Sequence, residues 1–121
     1  MGDLHKKTTG KLNWNLMPFE ELEEVMKAIQ FGADTYQPDG WKQSQDPFEF
    51  FAAIMRHITA WNIAVGNQFA LEDLDSRLNH MAHVAANALF LLYFDKRRRI
   101  DDEKMSKDKM LKMLRGDKGQ N

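Results

Sequence analysis

Three stretches of this chain repeat apolar residues at the spacing of an α-helix, and each is bounded by residues that start or stop helices. Leu22, Val25, Met26, Ile29 and Ala33 share one face of the first. Pro18 opens it, and Glu20 and Glu21 fall in its first turn, where the helix dipole favours negative charge; it should run to about residue 36. Gln37-Pro38-Asp39-Gly40-Trp41 punctuates a turn, Lys42 to Asp46 continues as a polar loop, and Asp46-Pro47 announces the second helix. Its expected core stripe is Phe51, Ile54, Met55, Ile58, Trp61 and Val65, beside a line of small residues, Ala53, Ala60 and Ala64, interrupted by His57. Such neighbours let another helix approach closely beside the imidazole. Gly66-Asn67 should end this helix, and a third should begin near Leu78 after an acidic loop.

The flanks read differently. Residues 1–11 are polar, contain Gly2 and Gly10, and look like a flexible arm. In residues 12–16 apolar and polar side chains alternate, which suits an extended segment or an ordered loop. Beyond Phe94 the chain turns abruptly to Lys96-Arg97-Arg98-Arg99 and a charged tail. There Met105, Met110, Leu111, Met113 and Leu114 can line an amphipathic helix packed on the body or on a second subunit. The expectation is an all-α protein, a compact bundle of three core helices plus a C-terminal amphipathic helix. It divides into a 1–11 arm, a 12–94 core domain and a 95–121 charged helix and tail. A chain this small often buries its remaining apolar stripe against a copy of itself, so a homo-oligomer, at least a dimer, is expected.

Composition narrows the function. A hydrophobic fraction of 43% in 121 residues supports one modest core. The 17 basic and 18 acidic residues nearly cancel, giving no reason to expect a nucleic-acid polymer or a membrane surface as partner. The strongest apolar run, residues 84–94, is too short to cross a bilayer, and the N-terminus lacks a signal pattern, which points to the cytoplasm. With no cysteine, disulfides, thiolate zinc sites and cysteine nucleophiles are all excluded. A metal must be held by His, Asp, Glu or Asn.

Four constellations could carry chemistry. His80, His83 and Asn87 recur at i, i+3 and i+7 on one face of the third helix, and His57 on the second can join them. Imidazole binds divalent metals or serves as general acid and base near neutral pH, yet the same side chains can simply hydrogen-bond between packed helices; spacing leaves the two readings evenly balanced. Glu20-Glu21-Leu22-Glu23-Glu24 places carboxylates on a shared face, as a hard cation such as Mg²⁺ or Mn²⁺ requires, or forms a solvated first turn. Glu72-Asp73-Leu74-Asp75 can fold back to complete a mixed oxygen and nitrogen site, or be an ordinary loop ending in a helix cap. Tyr36, Trp41 and Arg56 offer stacking surfaces and a guanidinium for phosphate, with Trp41 also a natural core anchor. The Lys96 to Arg99 run has no interleaved aromatic residues and reads as a solvated helix end.

Leu16-Met17-Pro18, Phe31-Gly32-Ala33 with Tyr36 and Trp41, Arg56-His57, Asp73, and His80-Met81-Ala82-His83 followed by Asn87-Ala88-Leu89-Phe90-Leu91-Leu92 together resemble the N-terminal domain family of phage-type dATP/dGTP diphosphohydrolases. The likeness spans about residues 11–94. It implies an enzyme of phage nucleotide metabolism, in the host bacterial cytoplasm, that cuts a purine deoxynucleoside triphosphate to monophosphate and pyrophosphate with Mg²⁺ or Mn²⁺. Position by position it points to Arg56, His57, Asp73, His80, His83 and Asn87, with Tyr36 and Trp41 nearby. The family's glycine and proline before the histidine pair are replaced here by Arg77 and Asn79.

A broader similarity is to MazG-like all-α pyrophosphohydrolases, with Glu20, Glu21 and Glu24 matching one acidic motif and Glu72 and Asp75 a second. On these resemblances Arg56, His57, Asp73 and Glu24 are the expected catalytic groups, and Lys11, Tyr36, Trp41 and Asn87 would bind substrate. His80, His83, Asp73, Glu20 and Glu24 would hold the metal. The rival reading is a non-catalytic phage helical protein that binds a host factor, with the histidine patch structural.

Overall fold

The computed structural model describes residues 10–35, 40–43 and 46–116, with 99–102 described by backbone alone. Helix α1 spans Phe19–Thr35, α2 spans Phe48–Asn67 and α3 spans His80–Leu114. Short 3-10 turns occupy Trp14–Leu16 and Gly40–Gln43, and the described residues contain no β-strand. None of the described helices is long and apolar enough to cross a membrane.

The helix starts follow the expected signals. The Pro18 carbonyl accepts the Leu22 N–H (3.0 Å), and Asp46 Oδ1 accepts the Phe48 N–H (3.0 Å). The end of α2 falls at Asn67, as expected, but a different residue closes it. The helix runs through Gly66, and the left-handed residue that closes it is Gln68, at φ 59°, whose N–H turns back to the Ala64 carbonyl. Residues 14–16 also depart from an extended segment: they form a 3-10 turn capped by Asn13, and Leu12, Trp14 and Leu16 are exposed.

The largest departure is at the C-terminus. The expected separate amphipathic helix is the continuation of α3, which runs unbroken for 35 residues, about 50 Å. No glycine or proline occurs from residue 67 to 115, so nothing in the chain stops the helix at the change of composition. The guanidinium of Arg97 lies 3.3 Å over the Tyr93 ring and donates to the Tyr93 carbonyl, bridging the apolar and charged halves. Met105, Met110, Leu111, Met113 and Leu114 on the distal half are exposed rather than packed on the body.

Both α1 and α2 pack on α3. His57 of α2 meets His80 and His83 near the start of α3, while Phe50, about two turns earlier on α2, meets Phe90 and Phe94 further along, so α2 and α3 are antiparallel. The buried side chains among the described residues are all alanine: Ala28, Ala64, Ala82 and Ala86. Ala28, Ala82 and Ala86 form one cluster, flanked by Val25, Ile29 and Leu78. On α2, four members of the expected stripe, Phe51, Met55, Ile58 and Val65, are exposed. This helix is apolar around most of its circumference, so periodicity did not single out the packed face; the small residues beside His57 took that place because they allow the closer approach. A larger side chain at Ala86 therefore has to push into the contact with Ala28 or into the cleft it borders. Ala86→Leu should destabilise the fold by about 1–3 kcal/mol, read as a lowered urea midpoint, while the exposed Ala88→Leu, equally favourable to helix, should change it little.

Candidate functional site

The loop of residues 68–79 sets the site. Asp73 Oδ2 accepts the N–H groups of Asp75 (3.1 Å) and Ser76 (3.0 Å), while the Asp73 N–H donates to Leu78 (2.7 Å) and its carbonyl accepts from Arg77 (2.8 Å). One carboxylate oxygen thus shapes the turn, and among the described residues no hydrogen bond engages the other. Glu72 pairs with Asn79 in an isolated antiparallel bridge, and the His80 N–H reaches the Leu71 carbonyl (2.9 Å). Asn79 caps α3, its side chain accepting the Met81 N–H at 2.8 Å. Arg77 sits at φ 64°, the left-handed conformation that favours glycine. The backbone therefore keeps the shape a glycine would take there, and Asn79 supplies the helix start that a proline would otherwise provide.

Three histidines converge above this loop. His57 Nδ1 and His80 Nδ1 lie 2.9 Å apart, and the His57 ring stacks on His83 with centroids 4.6 Å apart and planes 10° from parallel. His83 Nε2 is bonded to Ser76 Oγ at 2.6 Å, and that hydroxyl also accepts the Leu78 N–H. Ser76 thus steadies both partners, its N–H on Asp73 and its hydroxyl on His83. One ligand atom from each of His57, Asp73 and His80 lies within 4.8 Å of the others, all three side chains half-buried. Two imidazoles and a carboxylate with a spare oxygen suit a divalent ion such as Mn²⁺, one of the two that the resemblance implies, so the residues present fit it.

The cluster stands on the wall of a cleft of about 1290 Å³ between α1 and α2, floored by α3. Arg56, Asn87 and Trp41 also line it. Asn87 donates to the His83 carbonyl (2.7 Å), and Trp41 stacks on Phe90 (4.4 Å) with Tyr93 at its edge (4.8 Å), so the tryptophan is both anchor and wall.

Other expected site residues are not brought here. Glu20 and Glu24 lie at the start of α1, outside the cleft lining, and Glu24 is paired with Lys27 at 3.3 Å. Lys11 is exposed ahead of the first 3-10 turn and does not line the cleft, and Tyr36 lies outside the described residues. Sequence reasoning missed Ser76. Its signal was the Asp73-x-x-Ser76 spacing, in which an aspartate side chain accepts backbone N–H groups two and three residues on.

Burial lowers the pKa of His57, with His83 adding to the effect, Asp73 opposing it, and His80 and Arg56 lowering it further. Burial likewise lowers His83, against Asp73 and with His80. For Asp73 burial pushes upward, but the N–H groups of Ser76 and Asp75, with His83 and His57, hold the carboxyl below its usual range. All three groups bind fewer protons folded than unfolded, so stability is lost as pH falls. Thermal midpoints should drop as pH is lowered below the ordinary imidazole value of 6.5, with a further loss at lower pH as Asp73 protonates. His57→Gln with His83→Gln should flatten the first phase. Relief of the left-handed strain predicts that Arg77→Gly stabilises the fold by about 0.5–1 kcal/mol, after the added freedom of the unfolded chain is counted; the urea midpoint reads it.

The profile of the family described as dATP/dGTP diphosphohydrolase, N-terminal, matches residues 1–104. Comparison with curated proteins and with solved structures yields no match. The matched span includes all of α1, α2, the loop and the histidine-bearing part of α3, and on it the chain belongs to the dATP/dGTP diphosphohydrolase N-terminal family.

Proposed function

We propose that this chain hydrolyses a purine deoxynucleoside triphosphate to the monophosphate and pyrophosphate, with Mg²⁺ or Mn²⁺ held at the histidine cluster. The observation that carries the reading is the convergence of His57, Asp73 and His80 on the wall of a large cleft, with Arg56 beside them. The family description supports the same substrate class. Water attacks the α-phosphorus, the bond from that phosphorus to the bridging oxygen breaks, and pyrophosphate leaves. When bound, the divalent ion supplies Lewis-acid polarisation of phosphate oxygens and a more acidic water.

The chain's own groups do the rest. Arg56 is the cleft cation suited to balance charge developing on the phosphates. His83, kept neutral by burial and steadied by Ser76, is available to accept a proton. The antiparallel α2 and α3 give the cleft a length: from His57 to Phe50, and from His83 to Phe90, seven residues rise about 10 Å. A phosphate at the histidines thus directs ribose and base toward the Trp41 and Phe90 wall.

Incubating the protein with each of the four deoxynucleoside triphosphates and Mg²⁺ or Mn²⁺ tests this. Pyrophosphate and monophosphate should accumulate from dATP or dGTP. Arg56→Ala should lower kcat/KM by about 10–100-fold, the value of one charge-assisted phosphate contact. No turnover of any nucleotide by folded protein sinks the proposal.

A further inference from the structure

We propose that the His57, Asp73 and His80 centre selects a transition-metal dication, Mn²⁺, Co²⁺ or Zn²⁺, over Mg²⁺, with Ser76 as the residue that positions its ligands. The inference rests on the reading of this cluster as a metal centre and goes beyond it by fixing the class of ion.

The donor set decides the class. Mg²⁺ prefers oxygen ligands and parts reluctantly with its waters, so a site that offers it two imidazole nitrogens and one carboxylate gives a poor exchange. Imidazole suits the later first-row ions, and two histidines with one carboxylate is the pattern that holds such ions while leaving other positions open. The acidic group on the first turn of α1 does not line the cleft, and of the carboxylates that do, Asp34, Glu49, Asp73 and Asp75, only Asp73 joins the two histidines among the described residues.

The two imidazoles already meet: His57 Nδ1 and His80 Nδ1 stand at 2.9 Å, a hydrogen bond between the rings whose proton an ion held by both nitrogens would displace. The orientation of each ligand is also fixed by something other than the ion. His57 is held flat against His83, His83 is tied to Ser76 Oγ, and the Ser76 N–H occupies Asp73 Oδ2, leaving Oδ1 as the donor. His80 is the first residue of α3, and its N–H is anchored on Leu71. Partners of this kind hold ligands in register and raise metal affinity.

Calorimetric titration of the metal-free full chain with Mn²⁺, Co²⁺, Zn²⁺ and Mg²⁺, without nucleotide, tests the proposal, with the visible absorption of Co²⁺ as an independent readout. Each transition ion should bind one per chain with Kd at least about 100-fold below that for Mg²⁺. His80→Gln and Asp73→Asn, with helicity checked by circular dichroism, should each abolish the Co²⁺ band. Ser76→Ala should weaken binding by about 10-fold or more, with the band shifted, whereas Ser76→Thr should restore it. Mg²⁺ binding as tightly as Mn²⁺ overturns the proposal. So does a Co²⁺ band that survives in His80→Gln and vanishes in Glu24→Gln. Should the histidine variant fail to fold, Asp73→Asn and Ser76→Ala decide by the same band. Tight Mn²⁺ binding without nucleotide turnover would count against the proposed hydrolysis alone and leave the metal centre standing.

Discussion

The close contact of alanines with α3 is the constraint on which the rest of this structure depends. Ala28, Ala64, Ala82 and Ala86 contribute little apolar area each, but they let helix backbones approach and so fix where α1 and α2 lie against α3. The stabilising surface per residue is small, and larger apolar groups on α2 remain exposed. What the fold obtains instead is a cleft with a defined floor. Because both helices lean on α3, the space between them is lined by side chains from all three.

Within that frame the loop of residues 68–79 works as a clamp made of backbone and short polar side chains. Asp73 and Ser76 satisfy successive N–H groups, and the same two residues orient a carboxylate and an imidazole toward one point. Positioning is therefore inherited from turn chemistry. The left-handed Arg77 shows how strongly the loop's shape is imposed, since an arginine holds a conformation in which its Cβ is unfavourable.

Much of this was legible in the sequence. The three helices and their starts followed from period and from Pro18, Asp46 and Pro47, because those signals act locally. The grouping of His57 with His80 and His83 followed from helical spacing and from the small residues beside His57. What escaped depended on choices that local pattern does not make. Periodicity could not tell the alanine face of α2 from its larger apolar stripe, since both repeat every turn. Glu20 and Glu24 had metal-like spacing, but where a helix end lies relative to a loop is decided by tertiary packing. Ser76 was hidden because a serine in a polar loop is ordinary until its hydrogen bonds with Asp73, Leu78 and His83 are seen together. The distal helix was foreseen, but its fusion to α3 was not, because a shift in composition resembles a boundary even where no residue breaks the helix.

That fusion has a thermodynamic consequence. The proximal half of α3 is held by two packed neighbours, whereas residues 103–116 are exposed and depend on helical propensity and contacts within the helix itself. A segment of that length is marginal in water on its own, so it survives as an extension templated by the packed half. Helix content and tertiary packing are then lost on different schedules as temperature rises, the tip fraying while the histidine cluster is intact. One element carries two stabilities, and unfolding curves that follow helicity and those that follow the cleft will not superimpose.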